Sequence, residues 1–472
     1  MPAFDLVIRG AKVATAADVF DADIGIQDGI VAALGRGLGA GAREIDASGL
    51  LALPGGIDAH CHLDQPTGDG SVMADDFLSG SVSAAFGGTT TVIPFACQEK
   101  GKSLRAAVED YHQRADGKPV IDYAFHLIVT DAGPSVLGQE LPALIEDGYS
   151  SFKIYMTYDA LKLGDREILD VLSLARREQA MVMVHAENDD CIAWLTEGLL
   201  AEGKTAPKYH AASRPPVVER EATHRAISLA ELVDVPILIV HVSSAEAAEQ
   251  IGRAQLSGLR IYGETCPQYL FLSEDNLDLD GFEGAKCVCS PPPRDPANQQ
   301  AIWDGIEAGV FQVFSSDHAP FRMNDPKGKL AAGEGASFDK IPNGIPGLET
   351  RLPLLFSAGV SEGRIDVRKF VELTAANPAR IYGLYPRKGT IAVGADADIA
   401  LWDPEAERVI QNTDLHHNVD YTPYEGVPVK GWPVTVLSRG EAVVEGGELV
   451  AEPGRGQFLK CERPDPARPR RR

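Results

Sequence analysis

Eight short apolar runs punctuate the middle of the chain, near residues 57–62, 89–95, 121–130, 149–155, 181–186, 236–242, 259–264 and 311–316. Runs of this length, nearly continuous in apolar character, are those of strands buried on both faces. Segments with apolar residues at helical spacing separate them, residues 165–176 being a clear example. Strand–helix alternation repeated eight times predicts a (β/α)8 barrel of the TIM type over 54–383. That span is long for the fold, so the connections at roughly 264–311 and 317–347 are expected at the face that carries chemistry. Outside the barrel the texture changes. Short strand-like stretches with Gly and Asp between them fill 4–51, and the same pattern returns at 389–402 and 434–437. This predicts a smaller antiparallel β-sandwich domain built from both termini, residues 1–53 plus 384–460. Residues 461–472, rich in Pro and Arg, are expected to form a flexible tail.

Composition narrows the function classes. The chain has 472 residues, 44% hydrophobic and 24% charged, as in an ordinary globular protein with one large and one small domain. Its net charge of −24 repels phosphate backbones and anionic bilayers, which argues against nucleic-acid and membrane partners. No uninterrupted apolar stretch has the length of a bilayer span, and the N-terminus lacks the layout of a signal peptide. The seven cysteines are odd in number and contain no Cys-x-x-Cys, which argues against a disulfide framework and fits the cytoplasm. Cys287 and Cys289 read as small strand or loop residues, since no second thiolate pair completes a metal site.

In such a barrel chemistry sits at the C-terminal ends of the strands. The first run ends in His60-Cys61-His62, whose two imidazoles, two residues apart, face one way. The fifth ends in His185, the sixth in His241, and the eighth in Asp317. Four of eleven histidines thus gather at one rim, a placement that points to metal ligands. The fourth run carries Lys153 inside an apolar strand. A buried ammonium tends to lose its proton, and the neutral amine can take up CO₂ as a carbamate, a carboxylate-like ligand. A lysine that snorkels to solvent or pairs with an acid is the other reading of that position.

Taken as a set, these residues resemble the binuclear amidohydrolases, and within them the hydantoinase/dihydropyrimidinase group. The resemblance runs over nearly the whole chain: Asp58-Ala59-His60-Cys61-His62-Leu63-Asp64, Asp75-Asp76-Phe77, Lys153-Ile154-Tyr155-Met156-Thr157-Tyr158, His185-Ala186-Glu187-Asn188, Ser316-Asp317-His318-Ala319-Pro320 and Asn377-Pro378-Ala379. It implies two divalent metal ions, with zinc the expected one and manganese or cobalt compatible with the same donors. One ion would be held by His60, His62, N6-carboxylated Lys153 and Asp317, the other by Lys153, His185 and His241, with a hydroxide between them. It further implies Asp317 as the proton carrier and Tyr158 as donor to the substrate carbonyl. Backbone groups of Ser290 and Asn343 would meet the ring amide. The implied reaction opens dihydropyrimidines and 5-substituted hydantoins to N-carbamoyl amino acids, in a homotetramer acting on a small cyclic ureide or imide. Three positions depart from the family pattern: Gln65, Pro94 and Lys162, of which Gln65 and Lys162 bear on substrate size and stereochemical preference. Allantoinase and cyclic imide hydrolase are the alternatives. Asp64 stands where dihydroorotases typically carry an arginine, and the presence of every expected ligand argues against a non-catalytic dihydropyrimidinase-related scaffold.

Overall fold

The computed structural model describes residues 2–68 and 70–468. Two sheets of nine strands organise it. The first contains β1 (Phe4–Ala14), β2 (Val19–Gln27), β3 (Ile30–Gly35), β4 (Gly41–Asp46) and β5 (Leu51–Pro54). The second contains β6 (Gly56–Cys61), β7 (Thr89–Cys97), β8 (Asp122–Tyr123), β9 (His126–Ile128), β10 (Ser151–Tyr155), β11 (Met181–His185), β12 (Ile237–Ile239), β13 (Ile261–Thr265) and β14 (Val313–Phe314). The chain then returns to the first sheet with β15 (Ile399–Val409), β16 (Pro428–Ser438), β17 (Glu441–Glu445) and β18 (Glu448–Leu449).

Every pairing in the second sheet is parallel, in the order β14-β13-β12-β11-β10-β9-β7-β6, with β8 beside β7. The barrel closes between its ends through Asp317 N–H to the His60 carbonyl (2.9 Å) and His62 N–H to the His318 carbonyl (2.7 Å). Deeper in that seam the wholly buried Arg351 replaces strand pairing. It donates to the carbonyls of Phe314 (2.7 Å) and Ile57 (3.3 Å) and to the Thr89 hydroxyl (2.9 Å), with Asp58 3.4 Å from its Nε. Helices cover the outside. In Asp165–Glu178 the residues Ile168, Val171, Leu172 and Ala175 fall at helical spacing and are buried, while Glu167 accepts the Gly164 N–H at 2.8 Å to cap the first turn.

The barrel interior is a packed core of Ile57, Ile93, Phe95, Met181, Met183, Leu238 and Val313. Its lower end is plugged by Tyr382, Leu384, Leu459 and Cys461. Residues 461–468, expected in the flexible tail, are therefore packed. Cys461 N–H bonds the Gly148 carbonyl, Glu462 N–H bonds that of Gly383, both at 2.9 Å, and Ala467 is buried. The Pro- and Arg-rich composition gave no sign of the apolar anchors that precede it. Residues 469–472 of that expected tail lie outside the described residues.

The terminal sheet also departs from the antiparallel expectation. β1 runs antiparallel to β2 but parallel to both β4 and β5. A register shift between Ile8 and Ala11 splits β1, so that its first half takes β4 and its second half β5. The inner face gathers Leu6, Ile8, Val13, Ile24, Ile26, Ile399, Leu401 and Leu437 into one cluster. Lys388 ties this sheet to the barrel: its buried ammonium lies 2.7 Å from Asp122 at β8, 2.7 Å from Asp398 and 3.0 Å from Asp396 ahead of β15. Lys388→Met removes the one cation these three carboxylates share, leaving Asp122 with Arg439 and Asp396 with Arg387 but the buried Asp398 with no cation at ion-pair distance among the described residues. We expect a loss of about 3–5 kcal/mol, read as a clear fall in the denaturation midpoint with metal content unchanged; an unaltered midpoint would refute this role.

Candidate metal centre and pocket

The strand ends deliver their polar residues to one place. His60 Nε2 and His62 Nε2 lie 3.2 and 3.4 Å from the same Asp317 carboxylate oxygen. Lys153 Nζ lies 2.8 Å from His60 Nε2, and His185 Nδ1 faces His241 Nε2 at 2.9 Å. Donor atoms of His60, His241 and Asp317 all fall within 4.8 Å of one another, the one such group among the described residues. His241 and Asp317 hold φ of 39° and 49°, and Tyr158 70°, left-handed values that cost non-glycine residues energy and cluster here at the rim.

The donor set fits divalent cations. Burial holds the His60, His185 and His241 imidazoles below their usual range, and therefore neutral, the form that ligates metal. Burial alone would raise Asp317, but the facing His60, His62 and His241 outweigh it and keep the carboxylate ionised. Three of the four imidazoles are oriented from behind. His60 Nδ1–H donates to Glu264 (2.6 Å), His185 Nε2–H to Glu187 (2.8 Å) and His62 Nδ1–H to the Gln65 amide oxygen (2.7 Å). Each bond leaves the other nitrogen free as a ligand. Lys153 neither snorkels nor meets a carboxylate within ion-pair distance. Its side chain is buried against the Phe95 and Tyr155 rings, with Nζ 4.7 and 4.8 Å from their centroids, and burial pushes its amine below the usual lysine range.

Above these donors opens a cavity of about 400 Å³. Its lining includes His62, Lys153, His185, His241 and Asp317 at the floor, with Tyr158, Ser290 and Asn343 on the walls. All nine residues singled out in the sequence therefore come together, His60 lying directly beneath. The long connections do flank the opening, through Ser290 on one side and Phe321 and Asn343 on the other. The Ser290 hydroxyl donates to Asn343 Oδ1 at 3.1 Å. Behind this wall, the buried Lys329 donates to the carbonyls of both Val288 (2.9 Å) and Pro342 (2.7 Å), binding the two loops together. Gly344 follows at φ 142°, where a Cβ would meet the Ala319 carbonyl at 2.3 Å, so only glycine lets the loop approach.

Two of the three departing positions take defined roles. Gln65 orients His62 and lines the cavity. Lys162, read from the sequence as bearing on substrate, turns away to Asp159 (2.6 Å) and Asp189 (2.5 Å). Asp189 also accepts the Tyr158 N–H at 3.1 Å, so this ion pair fixes the strained turn that presents the phenol. Glu264, Glu187 and Arg214 were not singled out as functional. Glu264 had a signal, because it too ends an apolar barrel strand. No helix among the described residues is long and apolar enough to cross a membrane.

Comparison with known proteins agrees with this geometry. The amidohydrolase family model matches residues 51–443. A D-hydantoinase of Geobacillus stearothermophilus is 48% identical over 457 residues, covering 96% of each chain. Among solved structures, dihydropyrimidinase from Brevibacillus agri superimposes with a TM-score of 0.95 at 45% identity, covering 98% of this chain and 99% of that one. D-hydantoinase from a Bacillus species gives 0.94 at 46% identity, covering 97% and 99%.

Proposed function

Because this chain belongs to the amidohydrolase family, in its hydantoinase and dihydropyrimidinase group, we propose that it is a cyclic amide hydrolase that opens hydantoin and dihydropyrimidine rings to N-carbamoyl amino acids. The observation that carries this reading is the convergence of four imidazoles, Lys153 and an ionised Asp317 at the floor of a ring-sized cavity.

His60, His62, Lys153 and Asp317 would hold one divalent cation, and Lys153, His185 and His241 the second, with zinc the expected metal and Lys153 carried as its carbamate. When bound, such a pair supplies a hydroxide at neutral pH and polarises the scissile carbonyl. Asp317, at the floor, accepts the proton of the attacking water and returns it to the departing ring nitrogen. Tyr158 donates its phenol O–H to the oxygen on which negative charge develops. Burial lifts that phenol to about 12, against the opposing pull of Arg214, so it stays protonated and able to donate. Backbone groups at Ser290 and Asn343 meet the ring amide and fix its register. The relatives named D-hydantoinase support a preference for the D side of 5-substituted hydantoins. A cytoplasmic homotetramer belongs to the same proposal.

A spectrophotometric ring-opening screen over dihydrouracil, D- and L-5-substituted hydantoins, succinimide and allantoin tests the reading. Turnover of hydantoins and dihydrouracil above the other two is expected; allantoin or succinimide as the preferred ring would overturn it. For Tyr158→Phe we expect kcat to fall about 10²–10³-fold, the scale of a lost oxyanion donor, with metal content intact. Wild-type turnover would remove Tyr158 from the reaction.

A further inference from the structure

The two halves of the centre are braced by different chemistry. His60 and His62 lean on Glu264 and on the neutral amide of Gln65, and the same Glu264 oxygen also accepts the His241 backbone N–H at 3.0 Å. His185 leans on Glu187, whose carboxylate is shared with the buried guanidinium of Arg214 at 2.7 Å. The same guanidinium carbon lies 5.3 Å from the centre of the Tyr158 ring. One cation therefore touches the support of a ligand and the face of the phenol. It is anchored in turn: Arg294 donates to the Arg214 carbonyl, pairs with Glu219 at 3.1 Å and donates to the Ser243 hydroxyl at 2.9 Å. Ser243 follows His241 by two residues, and its N–H is held by Glu219 at 2.8 Å. All four charged groups are buried, so each ionic contact acts at low dielectric and none is easily replaced by water.

We propose that Arg214 is a positioning residue that holds His185, through Glu187, and Tyr158 as one unit, while His60 and His62 keep supports of their own in Glu264 and Gln65 and His241 stands between the two, its N–H on Glu264. Without Arg214, Glu187 is a buried carboxylate with one partner instead of two, since its Oε1 already has none. It then no longer fixes the His185 ring, and Tyr158 loses the cation over its face. The inference rests on the metal centre of the proposed function but predicts an asymmetry that the function does not require.

The test uses metal-free full-length protein reconstituted with Mn²⁺ alone, with stoichiometry from equilibrium dialysis and the spectrum from electron paramagnetic resonance. Wild type should bind two ions per chain with an exchange-coupled signal. Arg214→Met should bind one tightly, with the signal of an isolated ion and the second weakened about 10–100-fold, the scale for lost outer-shell support. Arg214→Lys should recover most of the second ion. In kcat, Arg214→Met should cost clearly less in a Tyr158→Phe background than in wild type, because part of its effect passes through the phenol. Two coupled ions in Arg214→Met, or fully additive kcat losses, would overturn the proposal. Should Arg214→Met fail to fold, Glu187→Gln carries the same stoichiometry test with the same two outcomes. A wild-type protein that binds no ion pair would instead defeat the functional reading itself.

Discussion

Lys153→Ala should abolish the metal centre and turnover together. In the structure the amine is buried, lies 2.8 Å from His60 Nε2 and has no carboxylate within ion-pair distance among the described residues, the surroundings that the proposed ligand role calls for. Removing it takes away the group proposed to bridge both cations. Metal content should fall below one ion per chain. Because a bound cation supplies several kcal/mol of transition-state stabilisation and about 1.4 kcal/mol is a factor of ten, kcat should drop by about 10³-fold or more. A short-chain carboxylic acid, small enough to occupy the vacated space, should restore part of both. The alanine variant with full metal and full activity would rule out the carbamate. A variant that loses activity, keeps its metal and shows no rescue would assign Lys153 a role other than bridging.

Asp317→Asn should separate ligation from proton transfer. The amide retains an oxygen where His60 and His62 converge, so at least one ion should remain bound. It cannot take up a proton, and a lost general acid–base is worth about 10²–10⁴-fold. The loss should fall on kcat, with KM nearly unchanged because Asp317 sits at the floor while the groups proposed to hold the ring, Tyr158, Ser290 and Asn343, line the walls. A kcat within tenfold of wild type in the metal-replete variant would mean that Asp317 serves only as a ligand. Together the two variants divide the reaction: one removes the cations, the other leaves cations without a proton carrier.

Much of this was legible in the residues. Strands buried on both faces must be apolar throughout, so their positions, and the polar residues that end them, stand out against the amphipathic helices between them. His60, His62, His185, His241 and Asp317 could be found that way, and Lys153 as the one lysine within these runs. The orienting groups could not, Glu264 excepted. Glu187 follows His185 by two residues, but a carboxylate beside a histidine looks like any solvated acid. Arg214 stands 27 positions from the Glu187 it pairs with and 56 from Tyr158, and Arg351 stitches strands that lie more than 250 positions away from it on one side. Pairings at such separations leave no period to detect. The parallel register of β4 and β5 on β1 was hidden for a related reason. Tight turns between short strands suggest hairpins, and only the register shift within β1 makes room for two further neighbours. Family resemblance, by contrast, supplied roles for Tyr158, Ser290 and Asn343 that spacing alone did not.

The two loop carbonyls that hang from Lys329 have a practical consequence for anyone reshaping the pocket. The segments bearing Ser290 and Asn343 share one peg, so a bulkier residue that displaces either segment will drag the other and alter both walls of the cavity. Thr67 and Leu161 also border the cavity but take no part in that peg. Variants meant to admit larger substituents should begin there.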